Sequence, residues 1–196
     1  MSTEKTDLRR ALRNRRNRLT PEEQRLAARK LAAKVVGTRL YRASQRIACY
    51  LPIDGEIDPC FIIEHIHRMR KICYLPAISR LSHDRLWFAK NQDGTELVRN
   101  RYGVLEPDVK TRDLVRAREL DLILMPLVGF DDHGNRLGMG AGFYDHTLAF
   151  LRQRKGWRKP HIIGLAYDFQ RINGIEADPW DVPLQGVVTD QAVYIY

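Results

Sequence analysis

The segment Leu120–Phe130, LDLILMPLVGF, is the most apolar run in the chain, and its reading decides the architecture. It is far shorter than the roughly 20 residues that cross a bilayer, and it lacks the polar alternation of a half-exposed strand. Such a run marks a central strand buried on both faces, as in a parallel sheet covered by helices. On its N-terminal side, Arg46–Leu51 (RIACYL) reads as a short buried strand. Asp58-Pro59 then opens a helix, and Lys71–Leu75 (KICYL) resumes a strand. A strand–helix–strand unit of this length favours parallel pairing through a right-handed crossover. On the C-terminal side we expect a helix from Tyr144 to about Arg154, a strand over His161–Ala166 and a terminal strand in AVYIY. Between Leu86 and Pro107, LWFAK and NQDG suggest short strands and loops. The expected fold is α/β, a single-domain layered sheet with flanking helices.

At the start of the chain, Leu8, Ala11, Leu12 and Leu19 keep a helical stripe through a basic stretch. Thr20-Pro21-Glu22-Glu23 supplies a cap, a first-turn proline and a capping-box Glu, which predicts a second helix over Pro21–Val36 that stops at Gly37. The 196 residues are 44% hydrophobic, ordinary for one domain with a real core. Cys49, Cys60 and Cys73 show no C-x-x-C spacing, and His65 and His67, two apart, diverge on a helix. Neither a disulfide framework nor a zinc site is supported, so any metal is bound by oxygen, and a soluble, cytoplasmic protein is expected. The net charge of +9 implies an anionic partner. Arg9, Arg10, Arg13, Arg15, Arg16 and Arg18 concentrate that charge at the N-terminus.

Just beyond the apolar run, Arg136–Leu148 reads RLGMGAGFYDHTL. Glycines at the carboxyl end of a buried strand let backbone N–H groups approach phosphate oxygens without a Cβ in the way. Gly138, Gly140 and Gly142 fit that description, although neither the Walker nor the dinucleotide spacing is present. Helix packing and tight turns are the competing use of such glycines. Arg136 adds a phosphate partner, Phe143 and Tyr144 offer ring faces, and Asp145 can hold Mg²⁺, with Asp181 in PWDVPL as a second carboxylate.

These residues resemble the signature of the 5-formyltetrahydrofolate cyclo-ligases. LMPLVGFDDHGNRLGMGAGFYDHTL carries the central match, and KTDLRRALRNRR, YLPIDGEID, YGVLEP and PWDVPLQGVVTD agree in order along the chain. The resemblance implies one cyclo-ligase domain over residues 1–196, with a fold similar to the sugar-phosphate isomerase and CoA-transferase type. It also implies the ATP- and Mg²⁺-dependent conversion of 5-formyltetrahydrofolate, polyglutamylated or not, to 5,10-methenyltetrahydrofolate with release of ADP and phosphate. Phosphorylation of the formyl oxygen would turn a poor leaving group into a good one, and N10 would then attack. Such chemistry asks for positioning and charge neutralisation rather than a side-chain nucleophile. By the same resemblance, Lys5 and Arg9 match the cations on the nucleotide phosphates, with Lys5 and Arg136 as catalytic candidates. Arg136, Leu137, Gly138, Met139, Gly140, Ala141, Gly142, Phe143 and Tyr144 match the nucleotide loop, Asp145 and Asp181 the magnesium acids. Glu56 matches the substrate-contacting acid, and Gly140–Tyr144 also lie where the folate is met. Ala141 stands where a third consecutive glycine is usual, and Trp180 where a His is frequent.

Two other classes compete. A nucleic-acid module would use the basic arm on RNA phosphates, but it leaves the glycine loop unexplained, and Asp145 and Asp181 would repel it. A metabolite isomerase on the same fold would work without ATP. Most of the arginines beyond Arg9 are expected to form a solvated face.

Overall fold

Helix α1 (Thr3–Asn17) carries the basic start, and α2 (Pro21–Gly37) follows within the bounds its capping residues dictate. Thr20 Oγ1 accepts the Glu23 N–H at 3.3 Å, and Glu23 Oε2 accepts the Thr20 N–H at 2.8 Å. Both orphan donors are thereby satisfied. This computed structural model describes residues 3–78, 84–153 and 159–196. A short helix α3 (Arg39–Ala43), not expected from the sequence, is capped by Thr38. Strand β1 (Arg46–Ala48), helix α4 (Cys60–Arg68) and strand β2 (Ile72–Ile78) form the anticipated unit, with β1 and β2 parallel and Arg46 opposite Ile72. β1 ends earlier than expected. Beyond the Cys49 N–H bond to Tyr74 O the chain turns away, and the Tyr50 hydroxyl closes a loop onto Ile57 O at 2.6 Å.

The middle of the chain forms β3 (Leu86–Asn91), antiparallel to β2, and a hairpin of β4 (Leu97–Arg99) and β5 (Leu105–Pro107). The apolar run yields β6 (Leu122–Pro126), shorter than the strand expected over Leu120–Phe130. The ladder stops because Leu127 O and Val128 O both accept from Gln170 Nε2, while the Val128 N–H is spent on Leu137 O. β7 (Gly129–Phe130) therefore leaves the sheet and pairs with β8 (Arg136–Leu137). The next helix, α5 (Phe143–Leu148), passes into a 3₁₀ turn over Ala149–Gln153, and the expected end at Arg154 lies outside the described residues. β9 (His161–Ala166) has the expected bounds, β10 (Gly186–Thr189) was not anticipated, and β11 (Val193–Ile195) closes the chain.

Among the described residues seven strands form one sheet in the order β11-β10-β9-β6-β1-β2-β3. The five from β10 to β2 are mutually parallel, and both edge strands run antiparallel. β6 shows why its sequence has no polar alternation. Leu122 and Leu124 join the core beneath α2 and α4, whereas Ile123 and Met125 join the core of the opposite face with Phe88, Leu148 and Val187. Each face is covered, so every residue of the strand interior is apolar. The expectation of a helix-flanked α/β sheet is met. From β1 the chain steps to β2 on one side and to β6 on the other, so their carboxyl ends flank a switch point where open α/β sheets bind ligands.

Candidate active site

A cleft of about 620 Å³ opens at that switch point. Its lining contains Lys5, Arg9, Glu56, the whole of Arg136–Asp145 and Asp181, so the residues singled out from the sequence converge from distant parts of the chain. The first wall is α1. Arg9 Nε donates to Gly138 O at 2.8 Å, and Lys5 Nζ to Asp178 Oδ2 at 3.1 Å, which docks the helix on the glycine loop and on the turn before Asp181. Arg9 Nη1 is buried without a hydrogen-bond partner among the described residues. A buried donor left unmade costs about 1–3 kcal/mol, and more when charged, so this one calls for an acceptor.

The glycine loop is the second wall. Gly140 and Gly142 have φ of 103° and 68°, in the region that L side chains avoid. Gly138 differs: its backbone is ordinary, and a Cβ built there meets no atom within 4 Å. Packing does not require glycine at 138, which leaves room for a ligand. Arg136, buried at the base of the loop, donates through Nη2 to Asp145 Oδ1 and through Nη1 to Val182 O. Asp145 Oδ1 also accepts the Val182 N–H at 3.4 Å, which places this carboxylate beside the segment that carries Asp181. Asp181 Oδ2 accepts the Asp178 N–H at 2.9 Å, a turn-closing bond. Asp131, the most buried acid of the signature, is purely structural: its oxygens accept from the N–H groups of His133, Asn135 and Ile175 and from the Asn135 amide.

The third wall is the loop after β1. Glu56 is only 8% exposed, and burial pushes its pKa up to about 7, against the Ile53 N–H bond and the Arg16 charge that favour ionisation. Its Oε2 accepts the Ile53 N–H at 3.2 Å. Burial also raises the Tyr50 and Tyr144 phenols, with the Glu56 charge adding to both, so these groups stay protonated donors.

Three features escaped sequence reasoning. The β4–β5 hairpin overhangs the cleft, with Tyr102 edge-on to Phe143 at 5.6 Å between ring centroids. Glu106 fixes it by accepting from the Ile78 N–H and the Asn100 amide. Trp180 and Tyr102, 58% and 55% exposed, form an aromatic mouth. The third is a correction. Arg10, Arg15 and Arg18 are exposed as expected of most of these arginines, but Arg16 is fully buried, and it and the half-exposed Arg13 both bond to Asp54 on the Glu56 loop. The signal was present in the spacing of Lys5, Arg9, Arg13 and Arg16, which share one helical stripe.

Fold and cleft define the class: a doubly wound α/β protein whose cleft at the switch point has cations on one wall and a buried carboxylate on another. Comparison with known proteins narrows this. A family model described as 5-formyltetrahydrofolate cyclo-ligase family matches residues 1–190, and the chain belongs to that family. It is 36% identical over 185 residues to the 5-formyltetrahydrofolate cyclo-ligase of Escherichia coli (strain K12), covering 93% of this chain and 98% of that one. It is 29% identical over 197 residues to the Mus musculus cyclo-ligase, covering 98% and 96%. Among solved structures, the 5,10-methenyltetrahydrofolate synthetase of Aquifex aeolicus aligns with a TM-score of 0.80 at 28% identity, covering 97% of this chain and 92% of that one. The resemblance drawn from the signature is borne out. Among the described residues no helix is long and apolar enough to cross a membrane.

Proposed function

We propose that the protein closes 5-formyltetrahydrofolate to 5,10-methenyltetrahydrofolate at the expense of ATP. The observation that carries the reading is the unpartnered, buried Arg9 Nη1 on the wall of a cleft where Gly138 leaves space for phosphate oxygens. Arg9, Lys5 and the backbone of Gly138–Gly142 hold the triphosphate, so that its γ-phosphoryl group meets the formyl oxygen. The phosphorus–oxygen bond to ADP breaks as the bond to the formyl oxygen forms. N10 then attacks the formyl carbon, its proton departs, and phosphate leaves with the carbon–oxygen bond. No side chain needs to bond covalently, and the burden falls on alignment and charge.

Glu56 accepts hydrogen bonds from the amino-pyrimidine edge of the pterin, held in orientation by the Ile53 N–H. The exposed rings of Tyr102 and Trp180 give the folate a surface to stack on and keep water from the activated formyl group. The acids fit Mg²⁺. Mg²⁺ sites use one or two carboxylates and complete their shell with phosphate oxygens and water, and Asp145 and Asp181 supply hard oxygen donors on the phosphate side. When bound, the ion neutralises charge developing on the phosphate oxygens. Asp145 and Arg136 pair with each other in the present structure, and phosphate plus cation would divide the pair, Arg136 turning to phosphate and Asp145 to metal. Purified protein incubated with 5-formyltetrahydrofolate and MgATP should develop the ultraviolet absorption of the methenyl product. No product, or product formed at an undiminished rate without ATP, overturns the reading.

A further inference from the structure

Arg16, on the α1 wall, reaches toward both of the other walls of the cleft. It lies on α1, two helical turns beyond Arg9 on the same stripe, and it is fully buried. Its Nη1 donates to Leu127 O at 3.3 Å, where β6 ends and the segment leading to the glycine loop begins. Its Nη2 donates to Asp54 Oδ2 at 3.0 Å, two residues before Glu56. Arg13 Nε reaches the same oxygen at 2.5 Å, and Asn17 Nδ2 reaches Asp54 Oδ1 at 3.0 Å. The arrangement carries visible strain: Asp54 has φ of 51°, and Arg16 Nε is buried without a partner among the described residues. At Gly55 a Cβ would lie 2.6 Å from Asn17 Oδ1 and 3.2 Å from the Arg16 backbone, so the loop is pressed onto the helix. A buried guanidinium, an orphan donor and a left-handed Asp together oppose folding, and such features persist where the surroundings over-determine them, often at functional sites.

We propose that Arg16 is a positioning residue of this site, tying the Glu56 loop to the strand end that feeds the glycine loop and so setting the spacing between the two bound reactants. The inference rests on the cyclo-ligase reading above. Arg16 touches neither reactant; it acts through Asp54 and Leu127. ATP is held chiefly by Arg9 and the glycine loop, which dock on each other directly, so loosening Arg16 displaces the folate side more than the nucleotide side.

The test is steady-state kinetics on Arg16→Met, Arg16→Lys and Asp54→Asn, with Arg10→Ala as control because Arg10 is exposed and pairs with Asp7 in its own helix. Misplacement by about 1 Å can lower a rate about 100-fold, and we expect a fall of that order in kcat/KM for 5-formyltetrahydrofolate with Arg16→Met. KM for ATP should change less than about threefold, since uniform nucleotide binding is left in place. Arg16→Lys, which keeps the charge and one bond, should recover part of the loss, and Asp54→Asn should show the same split. The Arg16→Met/Asp54→Asn double variant should lose less than the product of the single losses, because the two share the Arg16–Asp54 contact. Folded variants with wild-type constants, equal losses toward both substrates, or single losses that multiply would each overturn the proposal. Should Arg16→Met fail to fold, Arg16→Lys and Asp54→Asn decide it by the same criteria. An inactive wild-type protein would overturn instead the functional reading beneath it.

Discussion

Glu56 opposes the fold by its burial, and on the proposed reading it serves the site. Its carboxyl titrates near 7 in the folded protein against an ordinary 4.5. Below the ordinary value it is protonated in both states and without effect. As pH rises toward 7 the unfolded chain releases the proton first, so stability falls and then levels off, a loss of about 3 kcal/mol at most. Glu56→Gln should therefore melt close to the wild type at about pH 5 and several degrees above it at about pH 8. Thermal unfolding at the two pH values checks this, and a variant less stable at the higher pH would contradict it. The two aspartates answer to a different measurement. Asp145→Asn and Asp181→Asn each keep an oxygen for the backbone bond they accept, from Val182 and Asp178, but lose the charge a hard cation needs. At limiting magnesium each should lower turnover at least about tenfold with circular dichroism unchanged, and the double variant should lose less than the product of the two. Near-normal turnover with either Asn would remove that residue from the metal site.

At the scale of elements, the glycine loop separates two uses of glycine that look alike in sequence. Gly140 and Gly142 hold positive φ, and an alanine at either strains the backbone by about 1–2 kcal/mol. Gly138 has neither a positive φ nor a close neighbour. Gly138→Ala should thus melt like the wild type while its KM for ATP rises at least about tenfold, since on the proposed reading the new methyl enters the space the phosphates use. Gly142→Ala should lose stability first. Thermal melts paired with ATP titrations distinguish the two, and an unchanged KM in Gly138→Ala would return that glycine to the role of a simple linker. The hairpin of β4 and β5 teaches a related lesson. Its exposed apolar residues suggest a poor surface element, yet Asn100 Oδ1 accepts the Tyr102 and Val104 N–H groups, and the turn so built holds Tyr102 over the cleft.

At the scale of the whole molecule, the basic N-terminus that invited a nucleic-acid reading is divided: Arg10, Arg15 and Arg18 are exposed, whereas one stripe of the helix faces the protein. Lys5, Arg9, Arg13 and Arg16 form that stripe and bond to Asp178, the glycine loop and the Asp54 turn. The sequence by itself determined the elements whose cause is local. The capping box ended and began the first helices, the fully apolar β6 declared a sheet covered on both faces, and the ordered signature from Arg136 to Asp145 marked the loop and its family. It also offered the two aspartates from their place beside the glycine loop and in PWDVPL, and Glu56 only through resemblance, because an isolated loop carboxylate carries no local mark of burial. Tertiary structure alone decided where the apolar run stops, since Gln170, some forty positions later, takes the carbonyls that would have continued the ladder. It alone decided that Arg16 is buried and that Trp180 and Tyr102 face one opening. The physical reason is the same in each case: hydrogen bonds and burial between segments far apart in sequence have no periodicity to read, and they exist only once the sheet has brought its strand ends together.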